Sequence, residues 1–280
     1  MIYAPKFPEQ GLLTIKGALP FVLQPPKAGT LSALKRPKAV HRLDKATSGL
    51  LLVGKTLPSM DNLSRQFRER TVKKTYTAVI NGLPLEDPEA TISSQYAYQL
   101  GADVDTDSDD KWQLIDSPLD EKHAITVWRA LRYVNSIKAR DGILTLVELK
   151  PKTGRYHQLR RHMAWVCERA IVGDKEYDGN HEQAVKLRGR GLFLCSNHVT
   201  LEHPFYNTRA GREIWDTLGE ADKVFEGGKL WLSEENDTVM VSASIELPVK
   251  FRSFLERSQA VYEKYATEET SSSFSSSEQQ

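Results

Sequence analysis

Apolar positions in residues 1–40 follow neither a helical nor a strand period, and proline and glycine interrupt them repeatedly. The first clear signal is Gly49-Leu50-Leu51-Leu52-Val53-Gly54, a short apolar run closed by glycines that predicts a buried strand. From Pro58 to Arg70 the spacing turns helical. Met60, Leu63 and Phe67 fall on one face, Pro58 suits the first turn, and Arg65, Arg68 and Arg70 take the exposed side. Lys74-Thr75-Tyr76-Thr77-Ala78-Val79-Ile80 is β-branched and aromatic, and predicts a strand that ends in the turn Asn81-Gly82-Leu83-Pro84. Another strand, Ile143–Leu149, leads through Lys152-Thr153-Gly154-Arg155 to a helix starting near Tyr156. There Leu159, Met163 and Val166 form the apolar stripe, with Arg160 and Arg161 beside it. An apolar run, Gly191–Cys195, precedes Leu201-Glu202-His203-Pro204. Strands and helices alternate without a βαβ rhythm, so the expected class is α+β.

Two stretches lack such patterning. Residues 101–122 read as an acidic, solvated loop around Asp103, Asp105, Asp107, Asp109 and Asp110. A calcium loop would need a central glycine and a closing glutamate that this stretch lacks. From about Ala266 the chain turns Ser- and Glu-rich, and residues 266–280 are expected to be disordered.

At 280 residues the chain can form one large domain or two small ones. No apolar stretch approaches the roughly 18 residues of a membrane span, so no membrane association is expected. The N-terminus lacks a secretory apolar run, and the expected location is cytoplasmic. The basic character of residues 1–40 leaves an organelle transit peptide open. Cys167 and Cys195 fit buried thiols better than a disulfide framework. The net charge of +1 conceals segregation: residues 1–80 hold 14 Lys/Arg against 4 Asp/Glu, and residues 81–130 hold 3 against 11. Such segregation can set a basic surface, residues 35–74 and 150–161 above all, against phosphates.

Asp44 lies between Arg42 and Lys45, ahead of a Thr47-Ser48-Gly49 turn. Nearby cations favour its carboxylate form, and Thr47 and Ser48 are expected to bond the turn backbone. Taken alone, a surface aspartate in a structural turn and a nucleophile are both open. Arg160 is either a surface arginine or the partner of a buried acid, and Tyr76 is either a packing residue or a base-stacking one. His157 and His162 are five apart, as are His198 and His203, a spacing that does not put two ligands on one helical face; no metal site is expected. No phosphate-binding loop or dinucleotide fingerprint points to a nucleotide cofactor.

In order, His41-Arg42-Leu43-Asp44-Lys45-Ala46-Thr47-Ser48-Gly49, Gln66-Phe67, Val72-Lys73-Lys74-Thr75-Tyr76, Thr153-Gly154-Arg155-Tyr156-His157-Gln158-Leu159-Arg160, Gly173-Asp174, His203-Pro204 and Leu247-Pro248-Val249-Lys250-Phe251 resemble the motif series of the RluA-type pseudouridine synthases. The resemblance implies the pseudouridine synthase fold, a mixed, mostly antiparallel sheet flanked by helices with a central RNA-binding cleft. It implies an isomerase that needs no cofactor and takes RNA as its partner. Asp44 would be the nucleophile, Arg160 its ion-pair partner, and Tyr76 the residue stacked on the target base. Leu159 would pack against that base and Arg42 would fill the gap it leaves on flipping, while Lys74, Arg155, His157 and Gln158 would contact RNA.

Arg161 after Arg160 resembles the tRNA-modifying, TruC-like branch, so tRNA is favoured and rRNA is the alternative. Tyr156 stands where threonine is common in the family. Gln24-Pro25-Pro26-Lys27-Ala28-Gly29 departs from the family's KPxG element, so residues 1–40 read as a divergent or incomplete N-terminal segment. Residues 41–262 read as the catalytic domain, with the acidic insertion near 101–122, and a monomer is expected. A catalytically silent RNA-binding protein on the same scaffold is the competing reading. A glycosidase would need a second carboxylate near Asp44, and the motif around Asp44 holds none.

Overall fold

The computed structural model describes residues 15–179 and 191–277. In chain order the elements begin with α1 (Ile15–Val22), β1 (Ala33–Ala39), β2 (Ser48–Gly49), β3 (Val53–Thr56), α2 (Leu57–Glu69) and β4 (Lys73–Asn81). They continue with β5 (Thr91–Ser93), α3 (Ser94–Gln99), β6 (Lys111–Asp116), β7 (Ile125–Asn135), β8 (Ile143–Pro151) and α4 (Gln158–Trp165). The last are β9 (Leu194–Glu202), α5 (Arg209–Trp215), β10 (Val224–Phe225), β11 (Gly228–Ser233), β12 (Thr238–Ser244) and α6 (Val249–Ser277). The class is α+β. Two compact units emerge, one from residues 1–75 and 196–246, the other from 76–195 and 247–280. The stretch 41–262 contributes to both. Among the described residues no helix is long and apolar enough to cross a membrane.

In the first unit β10, β11, β12 and β9 form an antiparallel sheet, β2 adds to β9, and β1 pairs antiparallel with β3. Leu63, Val72, Val199 and Leu201 make the core, with Val40, Leu50, Leu52 and Phe67 packed on it. The expected single strand over 49–54 is split into β2 and β3. Gly49 has φ +123°, and a Cβ there would lie 2.1 Å from the Ser196 carbonyl oxygen, so this backbone approach takes only glycine. Leu50 and Leu52 then pack on the core, and a run apolar on both faces carries no period to reveal the break.

Helix α2 matches its predicted span. Thr56 caps it in a capping box with Ser59, Pro58 lies in the first turn, and Arg70 closes it in the left-handed conformation. Its polar Gln66 is fully buried. The Gln66 amide donates to the Glu202 carbonyl (2.9 Å) and accepts from the Glu202 N–H (3.0 Å), standing in for a neighbouring strand.

The second unit is a meander in which β4 from Tyr76 onward, β8, β7, β6 and β5 lie side by side with antiparallel pairing. Ala78, Ile80, Trp128, Val147, Leu149, Leu159, Met163 and Ile171 form its main core, and α4 closes one face through Leu159 and Met163. At the start of α6, Phe251 and Phe254 pack on Phe193. Both cysteines are buried.

Three expectations are corrected. Within 1–40 the chain does form regular structure, α1 and β1; residues 1–14 lie outside the described residues. The stretch 101–122 is not all loop, because Lys111–Asp116 forms β6 with Trp112 and Ile115 buried in different core clusters; covered on both faces, the run carries no alternation that would stand out from the acids to either side. The Ser-rich end continues α6 to Ser277, since serine extends an already nucleated helix at modest cost. Residues 278–280 lie outside the described residues.

Replacing Gln66 with Leu leaves the Glu202 N–H and C=O buried without partners, at about 1–3 kcal/mol each. The expected result is a lower urea midpoint with little change in slope; an unchanged midpoint would show that the amide is dispensable.

Candidate active site

In the first unit Asp44 is half-buried in the loop between β1 and β2. The loop is held at both ends by backbone groups. His41 Nε2 accepts the Leu52 N–H at 2.9 Å, and the Leu50 N–H donates to the Ser196 carbonyl at 2.8 Å. His41 also stacks on Phe67, with ring centroids 4.6 Å apart. Burial lowers the His41 pKa to about 4, against an opposing hydrogen bond from the ring to the Arg42 backbone and with help from the Lys74 charge. A neutral imidazole is what the geometry requires, because a protonated Nε2 could not accept the Leu52 N–H. Burial lowers the Lys74 pKa too, and Arg70 adds to it. The Lys74 ammonium lies 5.9 Å from the Phe67 ring centre. Arg42 is exposed.

The turn after Asp44 is closed by the Thr47 N–H donating to the Asp44 carbonyl at 2.9 Å. The expected side-chain bond from Thr47 is not made: its buried Oγ1 has no hydrogen-bond partner among the described residues.

In the second unit the segment 153–160 brings together five of the expected residues. Gln158 is buried beneath it. Its Oε1 accepts from the Thr153 hydroxyl (2.7 Å) and the Arg155 N–H (3.0 Å), and its Nε2 donates to the Ile125 carbonyl (2.8 Å) and Thr126 Oγ1 (3.0 Å). Those four bonds exhaust the amide. The Gln158 side chain thus braces the segment from below. Arg155 Nε donates to the His123 carbonyl at 2.9 Å. His157 takes the left-handed conformation, φ 49°, at the cap of α4. Leu159 is buried in the same core cluster against which Tyr76 packs.

Arg160 is buried and held by acids of its own unit. Nε and Nη2 grip the two Asp174 oxygens at 2.6 and 2.7 Å, Nη2 reaches Glu176 at 3.1 Å, and Nη1 lies 3.0 Å from the His157 ring nitrogens. Burial works against the Arg160 charge, but Asp174 and Glu176 outweigh it and hold its pKa above the ordinary value. Burial would raise the Asp174 carboxyl. Arg160 and the Glu176 and Tyr177 N–H groups reverse that and hold it below the usual carboxylate range. Burial and Glu176 push the Tyr177 phenol up to about 12.

The sequence reading missed Asp174, Glu176 and Tyr177 as partners. Gly173-Asp174 stood out as a motif, but no spacing linked it to Arg160. Arg161 likewise forms a two-pronged pair with Asp120 at 2.7 and 2.9 Å. Among the described residues no group of three or more His, Cys, Asp or Glu is placed to hold a metal ion.

A family model described as RNA pseudouridylate synthase matches residues 27–165. The chain is 35% identical over 176 residues to ribosomal large subunit pseudouridine synthase C of Rickettsia conorii, covering 63% of this chain and 52% of that protein. It is 33% identical over 172 residues to tRNA pseudouridine synthase C of Salmonella typhi, covering 59% and 62%. It is 32% identical over 183 residues to ribosomal large subunit pseudouridine synthase D of Neisseria meningitidis serogroup B, covering 62% and 44%. The chain thus spans 44–62% of the length of these curated relatives.

The neutral His41 carries a pH signature. Unfolded, an imidazole takes up a proton near pH 6.5; folded, His41 refuses it until about pH 4. Its contribution is complete above pH 6.5 and declines as the pH falls toward 4. Against His41→Gln, whose amide can still accept the Leu52 N–H, the wild type should lose about 1–2 kcal/mol more between pH 7 and 5. Thermal melts across that window measure it; parallel curves would show His41 to be ordinary.

Proposed function

We propose, on the premise that the chain belongs to the RNA pseudouridylate synthase family, that it isomerises a specific uridine of a structured RNA to pseudouridine. The observation that carries the reading is the loop 41–49, whose motif lies within the family match and whose backbone is pinned by His41 and Ser196 around Asp44. A nucleophile needs such fixed presentation, because small misplacements cost large factors in rate. Asp44 is the nucleophile in this reading. Tyr76 stacks on the target base and assists proton removal, and Leu159 packs against that base. Arg160 serves this reading by fixing the segment 153–160 through Asp174 and Glu176, while Arg42 fills the gap left in the RNA.

The target nucleotide has to leave its stack, since C1′ and the base edges are out of reach inside a helix. Its N1–C1′ bond breaks, the freed uracil turns, a C5–C1′ bond forms, the C5 proton leaves and N1 ends protonated. Atoms and electrons balance within the substrate, so the proposed reaction consumes no cofactor. Transfer RNA is the favoured substrate, from Arg161 following Arg160; the relatives named above include both tRNA and ribosomal enzymes. In this reading the chain acts as a cytoplasmic monomer.

Release of tritium from RNA labelled at uridine C5 tests this directly. Asp44→Asn should reduce release by roughly 10³-fold or more while RNA binding persists. Arg160→Lys keeps the charge but loses the two-pronged grip on Asp174, and should cost roughly 10²-fold. No release from any cellular RNA fraction by the wild-type chain would sink the reading.

A further inference from the structure

The segment around α4 carries a row of aromatic rings for which the proposed isomerisation has no use. Tyr156 stacks on His157 with centroids 3.8 Å apart and planes at 23°. His157 meets Tyr177 edge-on at 5.7 Å, and Tyr177 meets Trp165 edge-on at 5.5 Å. Two guanidiniums brace the row: Arg160 lies 4.9 Å from the Tyr177 ring centre, and Arg161 lies 4.7 Å from that of Trp165. The middle of the row is packed, but its ends are open, Tyr156 being 62% exposed and Trp165 55%.

An exposed ring fixed from behind by another ring or a cation is a rigid, flat surface that loses little freedom when a flat ligand covers it. The charges around it narrow the ligand. Arg160 is neutralised by Asp174 and Glu176, and Arg161 by Asp120. Neither of these two guanidiniums therefore has excess positive charge to offer a phosphate at the rings. The patch suits a planar, uncharged group, and a nucleobase is one, tolerated whatever its identity because every base has a π-face.

We propose that Tyr156 and Trp165 form a stacking site for unpaired nucleobases of the RNA that this chain binds. The site rests on the reading that the chain acts on RNA, and it adds a means of recognition: single-stranded segments are gripped by stacking at the start and end of α4, independently of phosphate contacts. Duplex RNA, whose bases are already stacked, gains nothing there.

Fluorescence anisotropy on the full-length chain, with a labelled oligouridylate and a fully paired RNA duplex as probes, tests the proposal. Tyr156→Ala and Trp165→Ala should each weaken oligouridylate binding by roughly 5- to 150-fold and leave duplex binding unchanged. The slope of log affinity against log salt should equal that of the wild type, since no phosphate contact is lost. Tyr156→Phe and Trp165→Phe keep both ring and packing, and should bind within about threefold of the wild type. That rescue separates stacking from a folding defect. Alanine variants that bind like the wild type overturn the site and leave a protein contact as the use of the open rings. A salt slope that flattens along with the loss also overturns it, because the side chains would then act through Arg161. If the wild type releases tritium from RNA but ignores oligouridylate, only the stacking site falls. If it neither binds nor modifies any RNA, both readings fall.

Discussion

A guanidinium removed from water must find fixed anionic partners, because an unpaired buried charge costs several kcal/mol. Arg160 meets that demand with the two oxygens of Asp174, whose side chain is itself fully buried, and with Glu176 at the rim. Much of the second unit's functional face is arranged around this pair. Asp174 also accepts the N–H groups of Glu176 and Tyr177, so the turn after Ile171 is shaped by the carboxylate that grips Arg160. Tyr177 in turn reaches His157 and lies against Trp165. One ion pair thus fixes a loop, a helix start and a row of rings.

The first unit solves a related problem with a neutral group. The loop bearing Asp44 departs from regular ladder bonds at the Leu52 N–H, although the Leu50 N–H still bonds Ser196 and the Leu52 carbonyl still accepts the Val40 N–H. A buried imidazole kept uncharged takes up the Leu52 N–H, and Gly49 lets the backbone close on Ser196. Gln66 does the same for Glu202. In each case a side chain supplies the backbone partner that a neighbouring strand would have given, which leaves the polypeptide free to depart from regular structure where a functional residue must be presented.

The elements read most easily were those with one buried face. Helix α2 showed its period, its proline and its capping residues, and β4 and β8 showed β-branched runs. The split of 49–54 was hidden because both faces of that run are apolar. Strand β6 was masked by flanking aspartates, and the last turns of α6 by a serine-rich composition that resembles disorder. Local pattern reports the environment of a residue's two faces; it says little where both are alike.

By itself the sequence determined the chemistry on offer: an aspartate between cations in a glycine-closed turn, a tyrosine in a strand, arginines at a helix start, and the order in which these motifs follow one another. Only the tertiary structure decided which charges are spent on one another. Arg160 and Asp174 are fourteen residues apart, Arg161 and Asp120 forty-one, and His41 and the Leu52 N–H eleven. None of these spacings belongs to a helix face or a strand register, so no local rule could pair them. Burial made the pairings necessary, because each of these polar groups has to be satisfied by whatever the fold brings beside it.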